Sequence, residues 1–208
     1  RVRCARKTLV RFALADEVTR DERAAGSSAT VHQKNWSPFV ADGTLYLVFT
    51  IEPFVVVKVD PDTGECIQVA HARTPALQVF RADPHAAALR HSTFGLHGGS
   101  PYVAWGGAGE ELLGIGRVAR GNMRYALFFH TLVRAVGEQQ FAISRIGPLF
   151  CFASSSPPHL GLCETIQFAG GLVVRDEAVV VTYGTNDCEA KVALVPLCRV
   201  EAMLLPAR

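Results

Sequence analysis

Short runs of β-branched and aromatic residues, separated by turn residues, recur along most of this chain of 208 residues. Runs of this length and composition are typical of β-strands. The first group predicts strands at Thr44–Thr50, Phe54–Val59 and Cys66–Ala70. Between the second and third, Pro61 fixes its own φ and Gly64 accepts a positive φ, as a tight turn requires. Three adjacent strands with such connections predict an antiparallel meander.

The same pattern recurs twice. The second group predicts strands at Pro101–Trp105, Glu111–Val118, Tyr125–Val133 and Phe141–Ile146. The third group predicts strands at Gly171–Arg175, Ala178–Tyr183 and Ala190–Leu194. The segment Leu197–Leu205 predicts a short helix or a final strand. Long loops are expected at Ala72–Ser92 and Ser154–Leu162, where Ala, Pro, His or Ser replace the alternating pattern.

The spacing of the meanders indicates an all-β fold. Intervals of about 50–70 residues between them favour the four-stranded blades of a partial β-propeller, with about three to four blades present. A β-sandwich explains the same strands and remains the alternative. The sequence 1–208 is expected to be a single propeller domain or the C-terminal fragment of one, and it does not begin with Met.

Composition excludes several classes of protein. Apolar residues make up 49% and charged residues 19% of the chain, which is typical of a globular protein. The formal net charge of +2 gives no basis for nucleic-acid binding. No apolar run approaches the roughly 18 residues that a membrane span needs. No signal peptide is visible, so the cytoplasm is slightly favoured, and the oligomeric state is not predicted.

The cysteines do not predict a metal site. They form no C-x-x-C pair and have no His at zinc spacing, and they lie at positions 4, 66, 151, 163, 188 and 198. Buried or surface thiols are expected, with a Cys151–Cys163 disulfide as the alternative.

A first candidate binding segment precedes the first meander. Lys34, Asn35 and Trp36 place a cation, an amide and an indole on one short stretch. Sugars bind to such a mixture because an aromatic face covers the apolar side of the ring and polar groups bond to its hydroxyls. The alternative is an ordinary strand start, with Trp36 and Phe39 in the core and Lys34 in solvent.

Two further candidates lie at strand ends. Glu52 ends a predicted strand before Pro53 and is a candidate for hydroxyl binding or proton transfer, or an ordinary surface residue. In His97-Gly98-Gly99-Ser100-Pro101, the glycines allow a ligand to approach the backbone, while His97 and Ser100 supply polar atoms. A plain tight turn is the alternative there.

The last candidate is Tyr183-Gly184-Thr185-Asn186-Asp187, where a strand ends and a carboxylate follows. Asn and Asp are also ordinary turn residues. Motifs of other enzyme classes are absent: there is no G-x-S-x-G, no H-E-x-x-H and no phosphate-binding loop. The Gly114-Ile115-Gly116 sequence lies within a predicted strand, which argues against a nucleotide site.

The order of these motifs resembles the C-terminal part of the mannoside phosphorylases, glycoside hydrolase family 130, and their transferase-like relatives among five-bladed β-propellers. The resemblance covers roughly residues 30–196, and each motif alone is weak. The motifs that carry it are Lys34–Phe39, His97–Pro101, Gly147–Phe150, Gly170–Asp176, Tyr183–Asp187 and Ala190–Leu194.

The resemblance implies a five-bladed propeller with a central sugar site and an oligosaccharide or glycan as partner. The implied activity is phosphorolysis or glycosyl transfer of a β-mannoside-like glycoside, with inorganic phosphate as co-substrate and no other cofactor. In that scheme Lys34 and His97 hold the anion, while Glu52 and Asp187 bind sugar hydroxyls.

Two departures from the family affect the expected activity. The family's acidic Glu-Asp-Pro-Arg motif is absent, and the nearest match, Ala82-Asp83-Pro84-His85, follows Lys34 instead of preceding it. Arg117 stands where relatives tend to have His or Gly. No catalytic residue is therefore assigned, and a catalytically inactive glycan-binding propeller is the alternative to an enzyme.

Overall fold

The computed structural model describes residues 11–13, 35–72, 96–106, 111–120, 124–135, 140–152 and 166–207. These residues form several antiparallel sheets and one short helix, so the predicted all-β class is confirmed. No sheet among them closes on itself. No helix in this part of the chain is long and apolar enough to cross a membrane.

Sheet A contains the first predicted meander. Its antiparallel strands are β2 (Ser37–Ala41), β3 (Thr44–Thr50), β4 (Phe54–Val59) and β5 (Glu65–Ala72), and β1 (Arg11–Ala13) pairs in parallel with β5. The predicted bounds of β3 and β4 are confirmed, and β5 is longer than predicted. The β4–β5 turn has the predicted chemistry, because Gly64 has a φ of 75° and the Asp60 carboxylate accepts the Asp62 N–H at 2.8 Å.

Sheet B contains the second meander, in which two strands are longer and one is shorter than the sequence predicts. Its strands are β6 (Leu96–Gly98), β7 (Val103–Trp105), β8 (Glu111–Arg120), β9 (Arg124–Arg134), β10 (Phe141–Ile146) and β14 (Leu205–Pro206). The order is β14-β10-β9-β8-β6, and β7 also pairs with β8. The bounds of β10 are as predicted, β6 was not predicted, and β14 begins at the last residue of the segment predicted as a short helix or a final strand.

Sheet C is the third meander. It consists of β11 (Gln167–Arg175), β12 (Ala178–Thr185) and β13 (Glu189–Pro196), all antiparallel. Strand β11 begins four residues before the predicted start at Gly171, and its register shifts between Ala169 and Gly171. The chain then forms helix α1 (Leu197–Met203) and strand β14, so the last predicted segment contains a helix followed by a strand.

Sheet B lies between the other two sheets. Alternate residues of a strand point to opposite faces, so β8 and β9 contribute side chains to two cores. The first core joins sheets A and B and includes Phe39, Tyr46, Val56, Phe128 and Leu132. The second core joins sheets B and C and includes Leu113, Ile115, Phe129, Leu172 and Val181.

Strand β4 is buried on both faces, which explains its nearly unbroken apolar sequence. Phe54 and Val56 belong to the first core, whereas Val55 and Val57 belong to a separate cluster on the other face of sheet A. A strand covered on both faces loses the alternation that a half-exposed strand shows. Sequence alone therefore located β4 without indicating which faces are covered.

The first core contains a buried polar pair. Tyr102 and His130 are 7% and 1% exposed, and the Tyr102 hydroxyl lies 2.5 Å from His130 Nε2. Gly114 makes room for this pair, because a β-carbon there would lie 2.5 Å from the Tyr102 ring. Burial lowers the pKa of His130 to about 3, although the Phe128 carbonyl opposes the shift. Burial also raises the pKa of the Tyr102 hydroxyl, so both groups of this hydrogen bond are neutral.

A charged network lies at the end of β8 where Glu111 begins the strand. Arg145 forms ion pairs with Glu111 and Glu201, and Ser144 donates a hydrogen bond to Glu111 Oε1 at 2.7 Å. Trp105 Nε1 donates to Glu201 Oε2 at 3.1 Å. Because Glu201 belongs to α1, the network attaches the helix to sheet B. Burial by itself raises the pKa of Glu111. Hydrogen bonds from Arg145 and Ser144, together with the charge of Arg145, outweigh this effect, so the pKa lies below its usual value.

Several predictions fall outside the described residues. These are the loop at 73–92, the loop at 154–162, Lys34 and Cys163. Cys151 takes part in a disulfide, whereas Cys66, Cys188 and Cys198 are free thiols. The pairing of Cys151 with Cys163 stays a prediction.

Candidate functional site

Most of the residues predicted for a site lie at one end of the three sheets, which is called the upper end here. It is formed by the starts of β2, β6, β9 and β11 and by the ends of β3, β8 and β12. Sheets A and B are in contact there: the Ile51 side chain packs on Gly116 so closely that a β-carbon added to this glycine would lie 2.9 Å from it. Sheets B and C meet there because Arg117 lies over the Phe168 ring.

Gly98 and Gly99 lie where the first strands of the three sheets approach one another. A β-carbon on Gly98 would lie 2.9 Å from the Asn35 carbonyl oxygen. A β-carbon on Gly99 would lie 2.9 Å from the Ile115 carbonyl oxygen and 3.4 Å from that of Ala169. Larger residues would push these backbones apart, so the two glycines permit the contact between the segments before β2, after β6 and within β11.

Asn35 and Trp36 reach the upper end just before β2. Asn35 is partly exposed and has a φ of 69°, a left-handed conformation that Asn adopts more readily than most residues. Trp36 is partly buried, and its ring stacks on Phe49 at 5.9 Å. Phe39 lies in the first core, as the alternative of an ordinary strand start predicted. The structure thus brings Asn35 beside Gly98, the residue that follows His97.

Glu52 lies in the turn between β3 and β4, at the end of sheet A that faces Gly98 and Gly116 of sheet B. It is partly exposed, and its turn is closed by a hydrogen bond of 2.5 Å from the Thr50 hydroxyl to the Pro53 carbonyl. The neighbouring Ile51 packs against Gly116, which pairs with Gly98 in the β6–β8 register. The Glu52 carboxylate is therefore carried to the upper end by the turn.

The two polar residues of the glycine segment have different surroundings. His97 is partly exposed. Ser100 is 0% exposed, its hydroxyl accepts the Ile115 N–H at 2.9 Å, and its own N–H donates to the Ile115 carbonyl at 3.2 Å. The Ser100 hydroxyl is thus engaged within the fold, where it fixes the segment against β8.

Tyr183 and Asp187 differ in a similar way. Tyr183 is mostly buried, and its ring stacks on Phe152 at 4.5 Å. Asp187 is exposed at the tip of the β12–β13 hairpin, with a φ of 54°. The adjacent Asn186 N–H donates to the Ile166 carbonyl at 2.8 Å, which holds the hairpin tip at the start of β11. Asp187 therefore presents its carboxylate at the upper end.

Arg117 is the principal residue that the sequence did not place in the site. In the β6–β8 register it lies directly opposite His97. Only 7% of it is exposed, and its guanidinium lies over the rings of Tyr125 at 4.7 Å and Phe168 at 5.1 Å. Burial lowers the pKa of this guanidinium, and the Tyr125 phenol opposes that shift. Arginine stays charged in proteins, so the upper end contains a buried cation.

The alternation of side chains along β8 could have identified Arg117 from the sequence. Leu113, Ile115 and Arg117 occupy alternate positions, and alternate positions of a strand share one face. A charge that follows Leu113 and Ile115 on this face, at the other end of the strand from Glu111, departs from the apolar pattern and marks a residue with a special role. Gln167, also missed, fixes the backbone of Phe152, because its amide accepts the Phe152 N–H at 2.9 Å and donates to its carbonyl at 2.7 Å.

The described side chains do not suggest a metal centre, since no group of three His, Cys, Asp or Glu residues among them is arranged to hold an ion. Neither the protein-family models nor the curated proteins include a match to this chain. The chemistry of the upper end is therefore the evidence on function. It combines amide and carboxylate groups with an imidazole, a buried guanidinium and several rings, which is a composition suited to a polar ligand with an apolar face.

Proposed function

We propose that this chain is part of a five-bladed β-propeller that binds β-mannoside-like glycosides at the upper end of its sheets. Sheets A, B and C would be three successive blades. Each is an antiparallel meander, and they pack face to face through the two cores, as blades do. Blades of a propeller surround a central channel, which agrees with the approach of the first strands at Gly98 and Gly99.

The observation that carries the proposal is this convergence of chain segments from three sheets. It collects polar groups that are far apart in sequence at the same end of the molecule. In the proposed site, Asn35, Glu52 and Asp187 bond to sugar hydroxyls, and Trp36 supplies an apolar surface for the ring. His97 donates to or accepts from a further hydroxyl.

A second candidate function is turnover of the glycoside, and it is favoured by the position of Glu52. This partly exposed carboxylate follows a strand at the upper end, where an acid could reach a bound glycoside. In phosphorolysis, a phosphate oxygen bonds to the anomeric carbon while the glycosidic bond breaks. The departing oxygen takes the proton from the acid, giving mannose 1-phosphate and a shortened sugar.

Calorimetric titration tests the binding proposal. Mannobiose is the ligand, and cellobiose, which differs in the configuration of each sugar at one carbon, is the matched comparison. We expect Asp187→Asn and Glu52→Gln to weaken mannobiose binding about tenfold each, as the loss of a charge-assisted hydrogen bond predicts. The control is Asp62→Asn, which changes an exposed carboxylate in the β4–β5 turn at the other end of sheet A.

Absence of mannobiose binding by the unchanged protein would overturn the proposal, and so would equal losses in Asp62→Asn and Asp187→Asn. Turnover is tested by incubating mannobiose with and without phosphate and measuring mannose 1-phosphate. Formation of this product that is lost in Glu52→Gln supports the enzyme, whereas binding without product supports a glycan-binding propeller.

A further inference from the structure

Arg117 is a buried cation that pairs with no carboxylate among the residues that the structure describes. Its side chain is on the face of sheet B that meets sheet C, and more than nine-tenths of the residue is removed from solvent. Within the described ranges no carboxylate forms an ion pair with it, and its Nε atom has no hydrogen-bond acceptor. Burial of a charge is costly unless the charge is paired, so an anion is the partner that this position favours.

The rings beside Arg117 leave the edge of its guanidinium as the binding surface. Tyr125 and Phe168 cover the guanidinium through their π-systems, at 4.7 and 5.1 Å. Cation–π contacts of this kind compensate part of the charge, and the Tyr125 hydroxyl also forms a hydrogen bond with the guanidinium, but Nε is left without an acceptor among the described residues. The N–H donors, which lie in the guanidinium plane, match the two oxygens of a carboxylate or a phosphate.

His97 provides a second group on the same face. Residues directly opposite in an antiparallel pair share a face and have β-carbons about 4.5–5.5 Å apart. The β6–β8 register places His97 in this relation to Arg117. Two basic side chains in such a pair repel each other when both are charged, and an anion bound by both removes that repulsion.

We propose that Arg117 and His97 form an oxyanion subsite, in which the edge of the guanidinium binds a carboxylate or phosphate group and the imidazole supplies a further donor. This inference rests on the proposed function, since it assigns an anionic group to the glycoside or its co-substrate at the same end of the molecule. Phe168 belongs to β11, so the subsite connects sheets B and C.

The test measures binding of three probes by calorimetry: inorganic phosphate, glucuronate and glucose. Glucuronate and glucose have similar size and differ in the carboxylate. We expect phosphate or glucuronate to bind to the unchanged protein, glucose to bind at least tenfold more weakly, and Arg117→Gln to reduce anion affinity at least tenfold. The control is Arg134→Gln, because Arg134 also lies over a ring, that of Phe141 at 4.8 Å, but is exposed. Equal affinities in Arg117→Gln and the unchanged protein would overturn the subsite.

Thermal unfolding with and without phosphate shows whether a variant is simply misfolded. A bound anion raises the melting temperature of the unchanged protein and leaves that of Arg117→Gln where it was. Arg117→Lys keeps the charge but lacks the planar fork, and we expect it to recover phosphate binding only in part. If neither anion protects the unchanged protein while Arg117→Gln unfolds at a lower temperature, Arg117 is a structural cation and the subsite is wrong.

The probes also separate this inference from the proposed function. Mannobiose binding with no binding of phosphate or glucuronate would overturn the subsite and support the glycoside site. Phosphate binding with no binding of any glycoside would support the subsite and overturn the glycoside proposal. Phosphate binding without glucuronate binding assigns the subsite to a phosphate, and the reverse assigns it to a carboxylate.

Discussion

Glu111 and Arg117 lie on the same face of β8, at its opposite ends, and they differ in whether an opposite charge is paired with them. Glu111 is paired with Arg145, and it accepts hydrogen bonds from Ser144 and Thr131. Arg117 is more deeply buried and has aromatic rings in place of a carboxylate among the residues that the structure describes. One strand thus carries a satisfied charge at one end and an unsatisfied charge at the other.

The difference indicates which end of the sheets serves stability and which is available to a ligand. A charge whose partners all belong to the protein contributes to holding α1 and β10 in place. A charge left without such partners costs stability, and proteins accept that cost mainly at sites of binding or catalysis.

The largest effect is expected from Arg145→Met. This change leaves Glu111 half-enclosed without its cation and also removes the bond to Glu201 on α1. We expect the free energy of unfolding to fall by about 2–4 kcal/mol, measured by urea denaturation. Arg134→Met removes an exposed ion pair with Asp42 and should cost less than about 1 kcal/mol. Equal losses in the two variants would contradict a structural role for the charged network of Arg145, Glu111 and Glu201.

Acid should destabilise the protein through His130. Its pKa is about 3 in the folded state and 6.5 in an unperturbed chain, so between these values the unfolded chain binds a proton that the folded protein does not. The free energy of unfolding therefore falls as the pH drops below 6.5, by up to about 1.4 kcal/mol per pH unit. Glu111 adds to the loss below its usual pKa of 4.5, because its folded pKa is lowered and its stabilisation disappears as it becomes protonated.

Urea denaturation at several pH values measures this slope. His130→Gln keeps an acceptor for the Tyr102 hydroxyl but does not titrate, so the slope between pH 6.5 and 4.5 should largely disappear. Tyr102→Phe retains the histidine and should retain the slope. A slope unchanged in His130→Gln would show that other groups cause the loss.

Arg117→Met should act in the opposite direction from Arg145→Met. Methionine preserves apolar packing against Tyr125 and Phe168 while removing an uncompensated buried charge. We expect the free energy of unfolding to be unchanged or raised, by about 1 kcal/mol, in buffer without phosphate or carboxylates. Urea denaturation in such a buffer provides the measurement. A loss greater than that of Arg134→Met would mean that the guanidinium itself holds sheets B and C together.

The smallest effects on stability are expected at the carboxylates of the upper end, of which Asp187 is exposed and Glu52 partly exposed. Glu52→Gln and Asp187→Asn remove a charge without changing side-chain size, and Asn adopts the left-handed backbone of position 187 readily. Each should change the free energy of unfolding by less than about 0.5 kcal/mol, as measured by urea denaturation. A loss of several times this size would place these residues in the structure of the turns and weaken their assignment to a ligand.

Most of the long strands could be located from the sequence. The bounds of β3, β4 and β10 were predicted correctly, because each is an apolar run that ends at turn residues. The very short strands β1 and β6 were missed, since three residues carry no periodic pattern. Sheet-level features such as the stacking of A, B and C involve contacts between distant segments and leave no local pattern.

In the candidate site, too, local features could be predicted from the sequence, whereas features that depend on distant segments could not. Sequence selected polar groups at strand ends, among them Asn35, Glu52, His97 and Asp187, because the transition from an apolar run to turn residues is visible locally. It could not distinguish the buried Ser100 hydroxyl, bonded to Ile115, from a group that faces solvent. Burial depends on which other segment covers a residue, and that segment is often far away in the chain.

The sequence by itself determined the all-β class, the three meanders and the chemical character of the strand ends, because these depend on neighbours within a few residues. The tertiary structure decided how the sheets stack, and it placed the Asn35, Glu52, His97 and Asp187 segments at one end. It also enclosed the charge of Arg117 between Tyr125 and Phe168, which is the observation behind the subsite proposed for it. The physical reason is that desolvation of a charge is a property of its three-dimensional surroundings, which no short stretch of sequence specifies.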